Sequence, residues 1–121
     1  MLKKPHKNLE VWKKSVGLVK GVYFFADKFP RSELYALADQ MRRAAVSIPS
    51  NIAEGAARST KKEFIQFLHI AQGSLSELDT QFEVALSLEY LKENDLVSIS
   101  AHADEVDKML TGLIKSLQRN T

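Results

Sequence analysis

Residues 40–58 read QMRRAAVSIPSNIAEGAAR, and two rows of side chains run through this region at helical spacing. Leu34, Leu37, Met41, Ala45, Ile48 and Ile52 recur every three or four residues and form one apolar stripe. Gln40, Arg43, Ser47, Asn51, Glu54 and Arg58 recur at the same spacing, about a third of a turn away on a 3.6-residue wheel. A helix needs the first row to bury itself against neighbours, so the stretch predicts a core helix of a bundle. Pro49 falls in its middle, lacks an N–H to donate, and predicts a kink. The polar row is more than a bundle requires. One account is structural: Arg42 or Arg43 pairs with Glu77 or Glu54, and Ser47, Ser50 or Asn51 bonds the carbonyl that Pro49 frees. The other account makes Asn51, Glu54 and Arg58 part of a polar pocket or pore-facing surface. Residue types leave both open, with Arg42, Arg43, Ser47, Asn51, Glu54 and Glu77 as the candidate network.

The periodicity continues upstream. A first helix is expected from about Asn8 to Lys28, with Leu9, Trp12, Val16, Val19, Tyr23 and Ala26 in one seam. Val11, Leu18, Val22, Phe25 and Phe29 form a second seam beside it. Together they span close to half the wheel, wider than the ~100° stripe of an ordinary surface helix. Phe24 lies outside both, and Gly17 and Gly21 stand one turn apart on that outer side. A helical glycine costs about 1 kcal/mol relative to alanine. The pair therefore predicts close approach of another backbone, in the same chain or in a second copy. The excess apolar width makes Val11, Gly17, Leu18, Gly21, Val22, Phe24 and Phe25 the candidate oligomer interface.

Pro30 ends the first helix, and Ser32 is the expected N-cap of the second, which runs to about Ala57. Thr60-Lys61-Lys62-Glu63 is a capping box. It opens a third helix with Phe64, Phe67 or Leu68, Ala71, Leu75, Leu78, Phe82 and Leu86 as its seam, ending near Leu91. Gly73 predicts close approach to the second helix. A fourth helix, capped by Asn94, carries Leu96, Ile99, Ala103, Val106, Leu110, Leu113 and Leu117 in alternating steps of three and four. Three short joints make neighbouring helices run in opposite directions. The expected fold is all-α, an antiparallel up-down-up-down four-helix bundle kinked at Pro49. One domain should span residues 1–121, with residues 1–7 as a basic, flexible tail.

A chain of 121 residues, 45% of them hydrophobic, can bury one core. The absence of cysteine excludes disulfides and thiolate metal sites. No apolar run approaches the ~20 residues of a membrane helix, and the basic opening MLKKPHKN lacks the apolar segment of a secretion signal. A cytoplasmic location without membrane contact is expected. Di-metal bundles use Glu-x-x-His words, and none of His6, His69 and His102 has a glutamate three residues before it. Neither a phosphate-binding glycine loop nor a Gly-x-Ser-x-Gly elbow occurs. No catalytic residue, metal or cofactor is expected, and the reading is of a non-enzyme.

The net charge of +2 conceals a polarity. Residues 1–62 hold 13 Lys and Arg against 5 Asp and Glu, whereas residues 63–121 hold 4 against 10. Three accounts are open: helices pair across the bundle's own surface, subunits pair basic side to acidic side, or the basic half meets an anionic partner. For an anionic partner the candidates are Lys3, Lys4, Lys7, Lys13, Lys14, Lys20, Arg58, Lys61 and Lys62. Such groups hold phosphates without reading sequence. Aromatics are not interleaved with them as a single-strand stacking platform would require.

The words RRAAVSIPSNIAEG (Arg42 to Gly55) and FLHIAQGSLSELDTQ (Phe67 to Gln81) resemble the four-helix-bundle proteins encoded in intervening sequences of bacterial 23S ribosomal RNA genes. The opening Leu9-x-Val11-Trp12 and the joint from Tyr23 through Phe29-Pro30 to Glu33 resemble them too. That family is similar in turn to the accessory variability proteins of diversity-generating retroelements. The resemblance covers nearly the whole chain. It implies an antiparallel four-helix bundle assembled as a homopentamer, and it implies no established biochemical activity. With the charge polarity, it makes RNA or another nucleic acid the first candidate partner. The alternative is a ring-shaped scaffold for a protein partner, such as a reverse transcriptase or a ribosome-associated factor.

Overall fold

The computed structural model describes residues 4–119, and four helices account for most of them. These are α1 (Glu10–Ala26), α2 (Leu37–Ala56), α3 (Lys61–Ser87) and α4 (Glu93–Arg119). The fold is all-α, with no strand among the described residues. α1 packs on α2 and α4, and α3 packs on α2 and α4, which closes a four-sided arrangement. Leu18, Val22, Met41, Ile48, Ile52, Leu68, Leu78, Phe82, Val106 and Leu110 fill the interior with no solvent exposure. Contacts pair rising residue numbers with falling ones. Lys14 meets Glu105, Gly17 faces His102 and Gly21 faces Ile99 between α1 and α4. Ser47 meets Ser74 and Gly55 abuts Phe67 between α2 and α3.

The second of the two seams on α1 is the core seam. Val11, Leu18 and Val22 are buried in the chain's own interior with Ser15 and Ala26, so they are not available to an oligomer interface. Phe25 packs half-buried against the same core. Gly17 and Gly21 leave no open groove, because an added Cβ would meet His102 Cε1 at 3.4 Å and Ile99 Cδ1 at 3.6 Å. Phe24 is the large side chain of the expected interface that stays outside, 59% exposed, with Lys28 Nζ 4.3 Å above its ring. A helix that is apolar over half its circumference can face a core in two ways. Where α2 and α4 lie decides between them.

Glycine placement differs likewise. Nothing lies within 4 Å of a Cβ added at Gly73, so that glycine is not where α3 approaches α2. The close approach is at Gly55, where a Cβ would stand 2.7 Å from Phe67 Cβ and 3.2 Å from the Phe64 carbonyl oxygen. Pro49 is buried inside α2, and the helix runs on through it. Ser47 Oγ donates to the Ala44 carbonyl at 2.9 Å, and Asn51 Nδ2 donates to the Ser47 carbonyl at 2.7 Å. The carbonyl that loses its amide to Pro49 belongs to Ala45, so these side chains bond its neighbours rather than it.

Helix ends follow local chemistry. Thr60 Oγ1 accepts from the Glu63 N–H at 3.1 Å, as the capping box predicts. Ser32 does not cap α2. Arg31–Glu33 form a 3-10 turn, and the Leu37 N–H donates to Glu33 Oε2 at 3.4 Å. Asn94 does not cap α4, which opens at Glu93 with Asp95 Oδ2 accepting from the Lys92 N–H at 3.2 Å. Residues 1–3 of the expected tail lie outside the described residues. Pro5–Asn8 form a 3-10 turn packed on α1 and α2, with the His6 ring edge-on to Trp12 at 4.9 Å.

α3 stops at Ser87 rather than near Leu91. Glu89 has φ 65°, the Glu89 N–H donates to the Leu86 carbonyl at 3.0 Å, and the Tyr90 N–H donates to the Ala85 carbonyl at 2.8 Å. This is the left-handed stop that glycine usually makes, and a glutamate gives no sequence sign of it. Left-handed backbone costs a non-glycine residue about 1–2 kcal/mol, while glycine adds freedom to the unfolded chain. Glu89→Gly is therefore expected to raise stability by about 0.5–1 kcal/mol, read as a higher urea midpoint at unchanged slope.

Candidate functional site

Five residues of the expected polar network, Arg42, Arg43, Ser47, Asn51 and Glu54, line one cleft of ≈ 580 Å³, walled by Tyr23 of α1 and floored in part by Val46. Glu77 is not among them. It is exposed on α3, and its Oε1 accepts from Gln81 Nε2 at 3.4 Å. The expected pairing of Arg42 or Arg43 with Glu77 or Glu54 does not form. Arg43 Nε donates to Asp39 Oδ2 at 2.9 Å, and Arg58 Nη2 donates to Glu54 Oε1 at 2.9 Å. In each pair the acid stands four residues before the arginine and is already held within reach, Asp39 inside α2 and Glu54 in its last turn with Arg58 just past its end.

Arg42 reaches off its helix. Its Nη2 lies 3.5 Å from Asp27 Oδ1, its Nη1 lies 3.4 Å from the Leu34 carbonyl, and its guanidinium sits 5.6 Å from the Tyr23 ring centre. Ser47 turns the other way, and its hydroxyl and that of Ser74 hydrogen-bond to each other across α2 and α3. The polar row thus serves both accounts, since Ser47 ties two helices while its neighbours line a cleft. Gln81, buried on α3, leaves its Oε1 without a hydrogen-bond partner among the described residues.

The basic candidates separate into two groups. Lys3 lies outside the described residues. Lys4 and Lys7 belong to the 3-10 turn on α2 or flank it. Arg58, Lys61 and Lys62 occupy the joint into α3 and its first turn, with Arg58 Cζ 4.8 Å from the Phe67 ring centre. Lys13 pairs instead with Glu10 at 3.2 Å, and Lys14 pairs with Glu105 at 3.2 Å. Lys20 is exposed midway along α1. The Lys14–Glu105 pair joins the basic half of the chain to the acidic half. Lys13 and Arg43 use carboxylates of their own helices, and Arg58, in the joint, uses Glu54 of the last turn of α2.

A second cleft, with no sign in the sequence, lies between α3 and α4. Asp79, Asp104 and Asp107 line ≈ 370 Å³ there with Ser76 and Thr80, and Gln72 Nε2 donates to Asp107 Oδ1 at 3.2 Å. Three aspartates on two helices give no short-range motif from which to find it. No group of three or more His, Cys, Asp or Glu among the described residues could hold a metal ion. His102 Nε2 lies 3.1 Å from the Lys14 carbonyl in the α1–α4 contact, and His69 is exposed.

Four helices around one apolar interior, with a polar cleft along α2, define an all-helical protein. No helix of the described residues is long and apolar enough to cross a membrane. Over residues 7–112 the chain matches the family described as 23S rRNA-intervening sequence protein, and it belongs to that family. It is similar to the solved structure of a protein of unknown function from the S23 ribosomal protein family of Bacteroides thetaiotaomicron VPI-5482. The TM-score is 0.81 at 24% identity, over 87% of this chain and 95% of that one, a likeness that shows the fold. No curated protein matches. Neither match indicates an enzymatic family.

Proposed function

We propose that this chain is a non-catalytic member of its family that works as a homo-oligomer, expected to be a pentamer, and holds RNA or another nucleic acid by its phosphates. The observation that carries the reading is the placement of Lys4 and Lys7 at a 3-10 turn on α2 and of Arg58, Lys61 and Lys62 at the joint that follows α2. The helices are read as an antiparallel up-down-up-down bundle in one domain, with α2 bent at Pro49. The opposed numbering of the α1–α4 and α2–α3 contacts supports that direction of travel. In such a bundle the opening turn, the α2–α3 joint and the end of α4 share one pole, which adds Lys115 and Arg119 to it. A cytoplasmic setting accords with the lack of cysteine.

Lysine and arginine contact phosphates without base readout, so binding should not depend on base sequence. In anisotropy titrations with a structured RNA of about 40 nucleotides, log affinity should fall linearly with log salt. Lys61→Glu/Lys62→Glu should weaken binding at least tenfold, on the order of 1.4 kcal/mol, and flatten the slope by roughly 1–2. An unchanged affinity in that variant, or no wild-type binding near 50 mM salt, removes nucleic acid from the reading. One observation favours a second reading, a ring-shaped scaffold for a protein partner: Phe24 is exposed on the outer side of α1. A Lys61→Glu/Lys62→Glu variant that assembles normally separates the two.

A further inference from the structure

We propose that the cleft between α1 and α2 is a docking groove for a segment of a protein partner that presents one carboxylate beside an aromatic or branched aliphatic side chain, with Arg42 as its charged anchor. The side chain of Arg42 is only 18% exposed, yet its contacts are long, 3.4 Å to the Leu34 carbonyl and 3.5 Å to Asp27. Asp27 is itself 73% exposed, so its carboxylate stays mostly in water. A guanidinium desolvated this far ordinarily holds a carboxylate in a fork at about 2.7–2.9 Å. The carboxylates that line the cleft are engaged, Asp39 by Arg43 and Glu54 by Arg58, each at 2.9 Å. One cation therefore has room for a closer anion.

Apolar surface lies beside that cation. Tyr23 is 41% and Val46 is 40% exposed, and both line the cleft. A volume of ≈ 580 Å³ holds two or three side chains rather than a lone ion. A groove bordered by two helices suits a short peptide segment recognised through a few anchors. A nucleic-acid strand fits less well, because Asp39 and Glu54 balance the two arginines of the lining and leave no net positive charge to hold a run of phosphates. Lys61 and Lys62 do not line the groove, so the variant that tests nucleic-acid binding leaves it in place, and this inference and the nucleic-acid reading stand or fall separately.

The probes are fluorescein-labelled 12-residue peptides centred on Phe-Glu-Leu, Leu-Asp-Phe or Trp-Glu-Val, with matched peptides carrying Gln or Asn for the acid. At least one acidic peptide should bind the wild type, and its amide counterpart should bind at least fivefold more weakly. Arg42→Gln should weaken binding by the same factor, with Arg42→Lys in between because an ammonium lacks the planar fork. Lys61→Glu/Lys62→Glu should bind the peptide like the wild type. Because an Arg42 variant can lose its fold for its own reasons, a benzophenone-bearing peptide is also crosslinked to the wild type. Its adducts should map to residues 16–27 and 39–54. The inference is overturned by no binding of any acidic peptide up to about 1 mM, by equal binding of acid and amide forms, or by adducts elsewhere. Displacement of the peptide by RNA with loss of RNA binding in Arg42→Gln would overturn it too, because the groove would then be a nucleic-acid surface.

Discussion

Gly55→Ala should lower the melting temperature by roughly 8–15 °C, the equivalent of about 2–3 kcal/mol in a chain of this size. Helix propensity points the other way, since alanine is favoured over glycine by about 1 kcal/mol inside a helix. The geometry decides the sign. The new methyl would stand 2.7 Å from Phe67 Cβ and 3.2 Å from the Phe64 carbonyl oxygen. Both atoms are fixed to the α3 backbone, so no side-chain rotation relieves the contact and the two helices must separate. Separation also disturbs the Ser47–Ser74 hydroxyl pair and the buried Ile48 and Ile52. Gly73→Ala is the matched control. Its Cβ would meet nothing within 4 Å, so propensity alone acts and stability should rise by about 0.5–1 kcal/mol. Thermal melts followed by circular dichroism compare them, and a rise in both variants would show that α2 and α3 do not touch at Gly55.

The contrast between those glycines shows which features local sequence can carry. α4 has a single apolar stripe, and its Ile99, Ala103, Val106 and Leu110 are buried as their spacing predicts. Toward the end Ile114 is buried, while Leu113 and Leu117 pack only partly. The 3.6-residue turn drifts against a seven-residue repeat and rotates the seam. α3 behaves alike, with Leu68, Ala71, Leu75, Leu78 and Phe82 inside. On α1 the spacing supplied two stripes and no means to rank them, because the ranking depends on neighbours far off in the chain. The cleft residues on α2 stood out as a row, but their partners did not. An acid one turn away on the same helix competes with acids on other helices, and only coordinates show that Asp39 and Glu54 are taken first. Arg42 to Gly55 and Phe67 to Gln81, the two words that carried the family resemblance, lie on the pair of helices that meet at Gly55 and Ser47.

Leu18→Ala and Phe24→Ser should separate folding from assembly, because α1 buries the first residue and exposes the second. Leu18 has no solvent exposure and lies in the core. Truncating it leaves a cavity, and a buried leucine-to-alanine change costs about 2–5 kcal/mol. Against a typical stability of roughly 5–15 kcal/mol that is a large fraction, so the melting temperature should drop steeply. The mass of whatever remains folded should not change. Phe24 touches mainly its neighbours, edge-on to Phe25 at 5.3 Å and under Lys28. Its loss should move the melting of a lone protomer little. If copies associate through the outer side of α1, Phe24→Ser should instead shift the mass by light scattering toward the protomer at micromolar concentration. A Leu18→Ala protein that melts like the wild type but loses assembly would return Leu18 to a subunit contact. A Phe24→Ser protein of unchanged mass and melting would move the contact to another face, leaving the exposed side of α1 to a different partner.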